Sequence, residues 1–261
     1  MRAKCFSEAD KKLMVERVRS NQTGLQNKRF RAYQLKEALF DPQTYCYMLI
    51  QICTTLPTSG LGAFYNIIIN GLKFSVLQTQ LLAMVLGVVI IFTLMGSAWL
   101  TKKTGQNLYT MAVFVIPSFV GTIVIMTVEN KNNATKAGLL ISYWIVFTFW
   151  AAQGLGMSML TRNVGGQTKK SVCITMNFIA WCAGNAAGPQ VFFNGDAPRY
   201  RKALSIHLGC YSLLVCVIIF LRWELTRRNN KKDRDFGKDV SSTHGFDDLT
   251  DKENLNFRYV Y

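Results

Sequence analysis

The residues that could do chemistry here are side-chain amides and indoles set in long runs without charge. Asn66 stands in one such run, Trp150 and Gln153 in another, and Asn177, Trp181, Asn185 and Gln190 in a third. An amide in hydrocarbon is costly, so each should face protein or a water-filled cavity. In a cavity these groups could hydrogen-bond a planar or anionic ligand; between helices they would serve packing equally well. Asn177, Trp181, Gly184 and Gly188 fall within about 60° of one another at roughly 100° per residue, with Asn185 at the edge of the stripe. Gly184 and Gly188 form a small-xxx-small step that admits a neighbouring helix at backbone distance. Pro189 would bend or loosen its helix, and Pro57, with Gly60, would do the same in the run that holds Asn66.

Enzymatic chemistry lacks its parts. The two histidines are His207 and His244, one in an apolar run and one in the tail. Seven cysteines form no CxxC pair and lie mostly in apolar runs, so neither a metal centre nor a disulfide framework is indicated. Gly154-Leu155-Gly156 extends into neither a dinucleotide fingerprint nor a phosphate loop. Ser158 follows Gly156 at nucleophile-elbow spacing, but Leu160 occupies the place of the second glycine. No cofactor, metal or catalytic residue is expected.

The elements that would position these amides are membrane helices. Half of the 261 residues are hydrophobic and 17% are charged. Six blocks lack Asp, Glu, Lys and Arg: about Gln43–Ile69, Leu77–Trp99, Leu108–Val128, Ala137–Thr161, Ser171–Phe193 and Ala203–Leu221. Each is near the length of a membrane span, and none shows the polar face of a soluble amphipathic helix. The expected fold is an all-α membrane protein with six transmembrane helices.

Six spans place both termini on one side of the bilayer. Of the 30 Lys and Arg residues, 24 fall on that side, which the positive-inside rule assigns to the cytoplasm. The net charge of +15 therefore reads as topology and attraction to anionic lipid, with no aromatic-basic interleaving to suggest a nucleic-acid partner. Residues 1–42 read as a cytoplasmic segment with two short amphipathic helices, one from Ser7 to about Ser20 and one over Arg31–Phe40. Asp41-Pro42 then opens the first span with a capping residue and an N1 proline. Residues 43–221 form the bundle. Residues 222–261 read as a disordered cytoplasmic tail, apart from a basic cluster at Arg227–Lys232 near the membrane. His207 is expected to be a packed or interfacial side chain.

These residues resemble a family. Glu16-Arg17, Asn21, Gly24, Tyr33-Gln34, Glu37-Ala38 and Asp41-Pro42 match, as do Asn163-Val164, Gly166 and Thr168-Lys169. The more specific clusters are Gly184-Asn185 with Gly188-Pro189-Gln190, and Asp196-Ala197-Pro198-Arg199-Tyr200. Together they look like the C-terminal half, spans seven to twelve, of a major facilitator superfamily carrier of the fungal allantoate permease family. Lys102 departs from the pattern, standing where the superfamily's turn motif usually has an acid.

The resemblance implies proton-coupled uptake of small organic anions such as allantoate, ureidosuccinate, vitamin carboxylates or short peptides, with the plasma membrane as the expected location. It and the helix geometry together mark Asn66, Trp150, Gln153, Asn177 and Asn185 as cavity-facing, with Pro57, Gly184, Gly188 and Pro189 as bend or gating points. None of the six blocks holds an acid for the proton or a base for a carboxylate, so those groups are expected from a separate N-terminal half, with self-association as the other pairing. The alternative is a non-transporting membrane protein, a truncated relic or interaction partner that keeps the fold.

Overall fold

A computed structural model describes residues 7, 9–14, 29–71, 75–196, 200–237 and 248–261. Among them every regular element is helical: α1 (Ala32–Leu39), α2 (Pro42–Gly71), α3 (Val76–Thr104), α4 (Asn107–Thr127), α5 (Asn133–Val146), α6 (Trp150–Asn163), α7 (Gln167–Ala187) and α8 (Arg201–Phe236). A 3-10 turn at Phe147–Phe149 joins α5 to α6. The expected helix from Ser7 to Ser20 is helical over residues 9–14, with Ser7 Oγ accepting the Asp10 N–H ahead of it, and residues 8 and 15–20 lie outside the described residues.

Local chemistry explains the boundaries. Asp41 Oδ1 accepts the Gln43 N–H at the start of α2, and Pro42 occupies the first helical position, where its missing N–H costs nothing. Ser75 and Gln78 close a reciprocal capping box on α3, which ends at Gly105 in the left-handed region with φ 69°. The start of α7 has no local side-chain cap. Its first N–H groups are met from elsewhere: Gln34 Oε1 of α1 accepts from Thr168 and Lys169, and Asp248 Oδ1 accepts from Gln167. Long-range partners thus satisfy donors that a helix N-terminus always leaves open.

Among the described residues, four stretches are long and apolar enough to cross a membrane: Leu77–Thr104, Asn107–Thr127, Asn133–Asn163 and Arg201–Phe236. The other two expected spans form helices α2 and α7, which do not reach the same apolarity within the described residues. Both carry polar side chains along their length, and they pack more extensively on each other than any other pair of elements does. At the opposite extreme α3 is apolar all round and little buried, exposing Leu77, Met84, Phe92 and Met95, as suits a helix solvated by lipid.

The core lies between α2, α4, α5, α6 and α8. Rings of Tyr65, Tyr143, Phe147, Phe149 and Tyr211 follow one another at centroid spacings of 5.4–6.2 Å. Tyr143 donates its hydroxyl hydrogen to the Leu61 carbonyl at 3.1 Å, tying α5 to α2. His207 is fully buried, with its ring 5.6 Å from Phe192.

The expectation of disorder from residue 222 is corrected for 222–236, which continue α8, and for 248–261; residues 238–247 lie outside the described residues. Residues 248–261 fold back onto the end of the bundle where α1 lies and α6 and α8 finish, with Asp251, Phe257 and Tyr259 buried. The basic cluster is likewise partly turned inward, since Arg228 binds Asp41 and Glu224 while Lys232 binds tail carbonyls. These charges are spent on carboxylates and peptide oxygens inside the protein, not only on lipid.

Candidate functional site

A cleft of about 420 Å³ opens between α2, α3, α6 and α7. Its lining is Thr55, Thr58, Leu94, Trp150, Gln153, Gly154, Trp181 and Asn185. Three residues expected to face a cavity, Trp150, Gln153 and Asn185, therefore meet in one place. The 3-10 turn starts α6 at Trp150, and Thr148 within that turn donates to the Phe114 carbonyl of α4 at 2.8 Å.

Trp150 Nε1 donates to Thr58 Oγ1 at 2.9 Å, and Thr58 passes its own hydrogen to the Thr54 carbonyl at 2.7 Å. Asn185 turns one amide hydrogen back to the Trp181 carbonyl at 3.0 Å. Gln153 is half-buried in the wall, and its amide has no hydrogen-bond partner among the described residues. The cleft thus combines two indole rings with amide and hydroxyl groups and no charge. Such a surface can stack a planar group and hydrogen-bond polar atoms, but it cannot neutralise a carboxylate.

Asn177 sits deeper. It is buried, donating to Gln51 Oε1 at 3.3 Å, while Gln51 in turn donates to Thr55 Oγ1 at 3.0 Å. It supports the wall through Gln51 and Thr55 and is not among the lining residues. Asn66 lies on α2, with its side chain outside the described residues. Sequence reasoning missed Gln51, Thr55 and Thr58. Their spacing of three to four residues on one helix face was the available signal, masked by the commonness of threonine in membrane helices.

The four bend or gating candidates are placed differently from one another. Pro57 lies inside the unbroken helix α2. Pro189 does not bend α7: the helix stops at Ala187, Gly188 caps it, and Pro189 begins a separate 3-10 turn, Pro189–Val191. A proline cannot donate the next helical hydrogen bond, so termination replaces the expected kink. Gly184 and Gly188 press on α2 within the same chain, with Thr55, Leu56, Ser59 and Gly60 opposite. The neighbouring helix that this small-xxx-small step admits is therefore α2 of the same chain.

No protein-family model matches the chain, and no solved structure does. Curated relatives do match. An MFS-type transporter, cnsL, of Penicillium expansum is 30% identical across 100% of this chain and 54% of its own length. The chain is homologous to half of a fungal MFS-type transporter. Allantoate permease of Saccharomyces cerevisiae is 29% identical over 99% of the chain and 49% of the permease. A thiamine pathway transporter of the same yeast is 27% identical, over 98% and 49% respectively. The chain spans about half the length of the curated relatives it matches, consistent with the C-terminal half of such a carrier. These relatives are transporters and permeases, not enzymes.

Removing the indole donor tests the wall. Trp150→Phe keeps a ring but leaves Thr58 without its incoming hydrogen bond, which should cost about 0.5–1.5 kcal/mol. Detergent-titrated unfolding should register that loss, and a Thr58→Val, Trp150→Phe double variant should lose less than the sum of the two singles.

Proposed function

We propose that this chain is one half of a multi-pass membrane carrier for small organic anions, and that the cleft is its share of the substrate path. The observation that carries the reading is the meeting of Trp150, Gln153 and Asn185 in one uncharged cleft, in a chain homologous throughout to half of allantoate permease. All six apolar blocks span the bilayer in this reading, α2 and α7 included, because their polar side chains face the cleft or each other and not lipid. Both termini lie in the cytoplasm, on the side that holds 24 of the 30 basic residues, and the plasma membrane is the expected location.

A carrier of this architecture works by alternating access of a site between two halves. The half in hand offers indole, amide and hydroxyl groups; the anion's countercharge and the coupling proton's acceptor come from a complementary N-terminal half. Gln153, the amide without an internal partner, is the first candidate to reach the substrate.

The test is uptake of radiolabelled allantoate into liposomes under an inward proton gradient. The purified chain alone should show no saturable, gradient-driven accumulation, whereas the chain reconstituted with an N-terminal carrier half should. In the reconstituted pair, Gln153→Ala and Asn185→Ala should raise KM about tenfold at unchanged protein level, the scale of one lost polar contact. Coupled uptake by the chain alone would overturn the two-half reading, and unchanged KM in both variants would remove the cleft from the path.

A further inference from the structure

The segment 248–261 is held by devices usually found where a protein reads a separate peptide. Asn163, the last residue of α6, donates from Nδ2 to the Val260 carbonyl at 2.8 Å and accepts the Val260 N–H on Oδ1 at 2.7 Å. Asn229 of α8 does the same for Tyr259, at 2.8 and 2.9 Å. Each asparagine thereby satisfies both the donor and the acceptor of one residue's backbone, as a neighbouring strand would. Further along, the Lys232 ammonium donates to the carbonyls of Asp251, Asn254 and Phe257 at 2.6, 2.8 and 3.2 Å. Side-chain reading is added by Lys169, whose ammonium lies 2.6 Å from Asp251 Oδ1, and the other Asp251 oxygen accepts the Tyr259 hydroxyl at 2.7 Å.

Steric evidence points the same way independently. Gly165 does not occupy the left-handed region, so its backbone does not demand glycine. A Cβ there would stand 2.7 Å from the Asp251 nitrogen and 3.1 Å from the Thr250 carbonyl carbon. Among the described residues, the three atoms nearest to such a group all belong to the tail. Glycine at this position makes room for a docked peptide.

We infer that the end of the bundle where α6 and α8 finish and α7 begins is a peptide-binding site built by Asn163, Gly165, Lys169, Asn229 and Lys232, and that its ligand is the chain's own C-terminal segment, residues 248–261. The ligand's features are an aspartate for the buried ammonium and two aromatic side chains, Phe257 and Tyr259, that are 2% and 4% exposed. Eleven residues, 237–247, separate it from Phe236 at the end of α8. Occupancy also fastens α1, because Arg31 and Gln34 both donate to the Asp248 carbonyl, at 2.9 and 3.1 Å. The bound tail therefore joins the segment before α2 to the ends of α6, α7 and α8. This inference does not rest on the transport reading.

Two measurements on the full chain in nanodiscs test it. A carboxypeptidase selective for aromatic and aliphatic residues should remove Tyr261, Val260 and Tyr259 slowly from the wild-type chain. Gly165→Ala and Asp251→Asn should each speed release at least about tenfold, the factor expected for one lost clamp in a local opening equilibrium. Next, a fluorescent synthetic peptide of residues 248–261 is titrated onto wild-type and Asp251→Asn chains. It should bind the variant saturably and the wild type at least about tenfold more weakly, because the wild-type site is filled in cis. Adding Asn163→Ala and Asn229→Ala to the Asp251→Asn chain should abolish that binding. Equal release rates in wild type and Asp251→Asn, or peptide binding that is absent from the variant or equal in both chains, would overturn the proposal. Should Gly165→Ala fail to fold, the Asp251→Asn measurements decide alone.

Discussion

Lys169→Met should cost this protein about 3–5 kcal/mol of stability at neutral pH, the scale seen when one partner of a buried ion cluster is removed. The Lys169 side chain is 1% exposed, and its ammonium lies 2.9 Å from Glu37, 2.8 Å from Asp41 and 2.6 Å from Asp251. These carboxylates come from α1, the residue before α2, and the tail, so one ammonium joins three separate segments to α7. Burial lowers the lysine's proton affinity, but Asp251, Asp41 and Glu37 outweigh it and raise the pKa above the usual lysine value. Burial likewise raises the Asp41 carboxyl, while Lys169 and Arg228 outweigh that and hold it well below the usual carboxylate range. Without Lys169 the three carboxylates would face one another, with Arg228 and Lys252 left on Asp41.

The pH dependence follows with a definite sign. A carboxyl whose pKa is lowered on folding contributes stability above its unfolded value, about 4, and that contribution is lost as pH falls through the lower folded value. The wild-type protein should therefore hold this contribution at neutral pH and lose it only on acidification below about 4. In Lys169→Met the carboxylates repel, so its deficit should shrink as acid neutralises them. Detergent-titrated unfolding of both proteins from neutral to acid pH checks this; a deficit independent of pH would show that packing, not charge, is what Lys169 supplies.

Gly188→Ala is expected to force α2 and α7 apart. The added methyl would overlap Ser59 Oγ and lie 2.6 Å from the Leu56 carbonyl oxygen and 2.9 Å from the Gly60 nitrogen. Gly188 has an ordinary helical φ of −55°, so close approach is the whole reason for glycine. Overpacking of this kind costs about 1–3 kcal/mol. Ser59→Ala should not restore the loss, because two of the three obstructions are backbone atoms. Gly60→Ala meets Gly188's carbonyl oxygen at 2.8 Å, so the two substitutions should be non-additive. Gly209→Ala in α8 has open space around the new carbon and should be neutral or stabilising by up to about 1 kcal/mol. Comparable losses at Gly188 and Gly209 in the same unfolding assay would refute the close-contact explanation.

The sequence by itself determined the helices and their order. Long runs without charge, the Asp41-Pro42 start and Gly105 after Lys102-Lys103 are local signals. A helix closes its own hydrogen bonds and needs no distant partner to be recognised. The indole of Trp150 and the amides of Gln153 and Asn185 were legible as polar groups that need partners in lipid, because desolvation penalises them wherever they sit. What covers each of them was decided only by tertiary structure. Gly184, Asn185 and the capping Gly188 lie within one turn and a half at the end of α7, yet the glycines press against Thr55 and Gly60 while Asn185 lines the cleft. A helical wheel gives an angle but not the neighbour at that angle. The tail shows the larger gap: its mixed charges read as solvated, since nothing within ten residues of Asp251 reveals a partner such as Lys169, 82 positions away. An ion cluster gains its energy from charges that the fold brings together and desolvates. No local pattern carries that information.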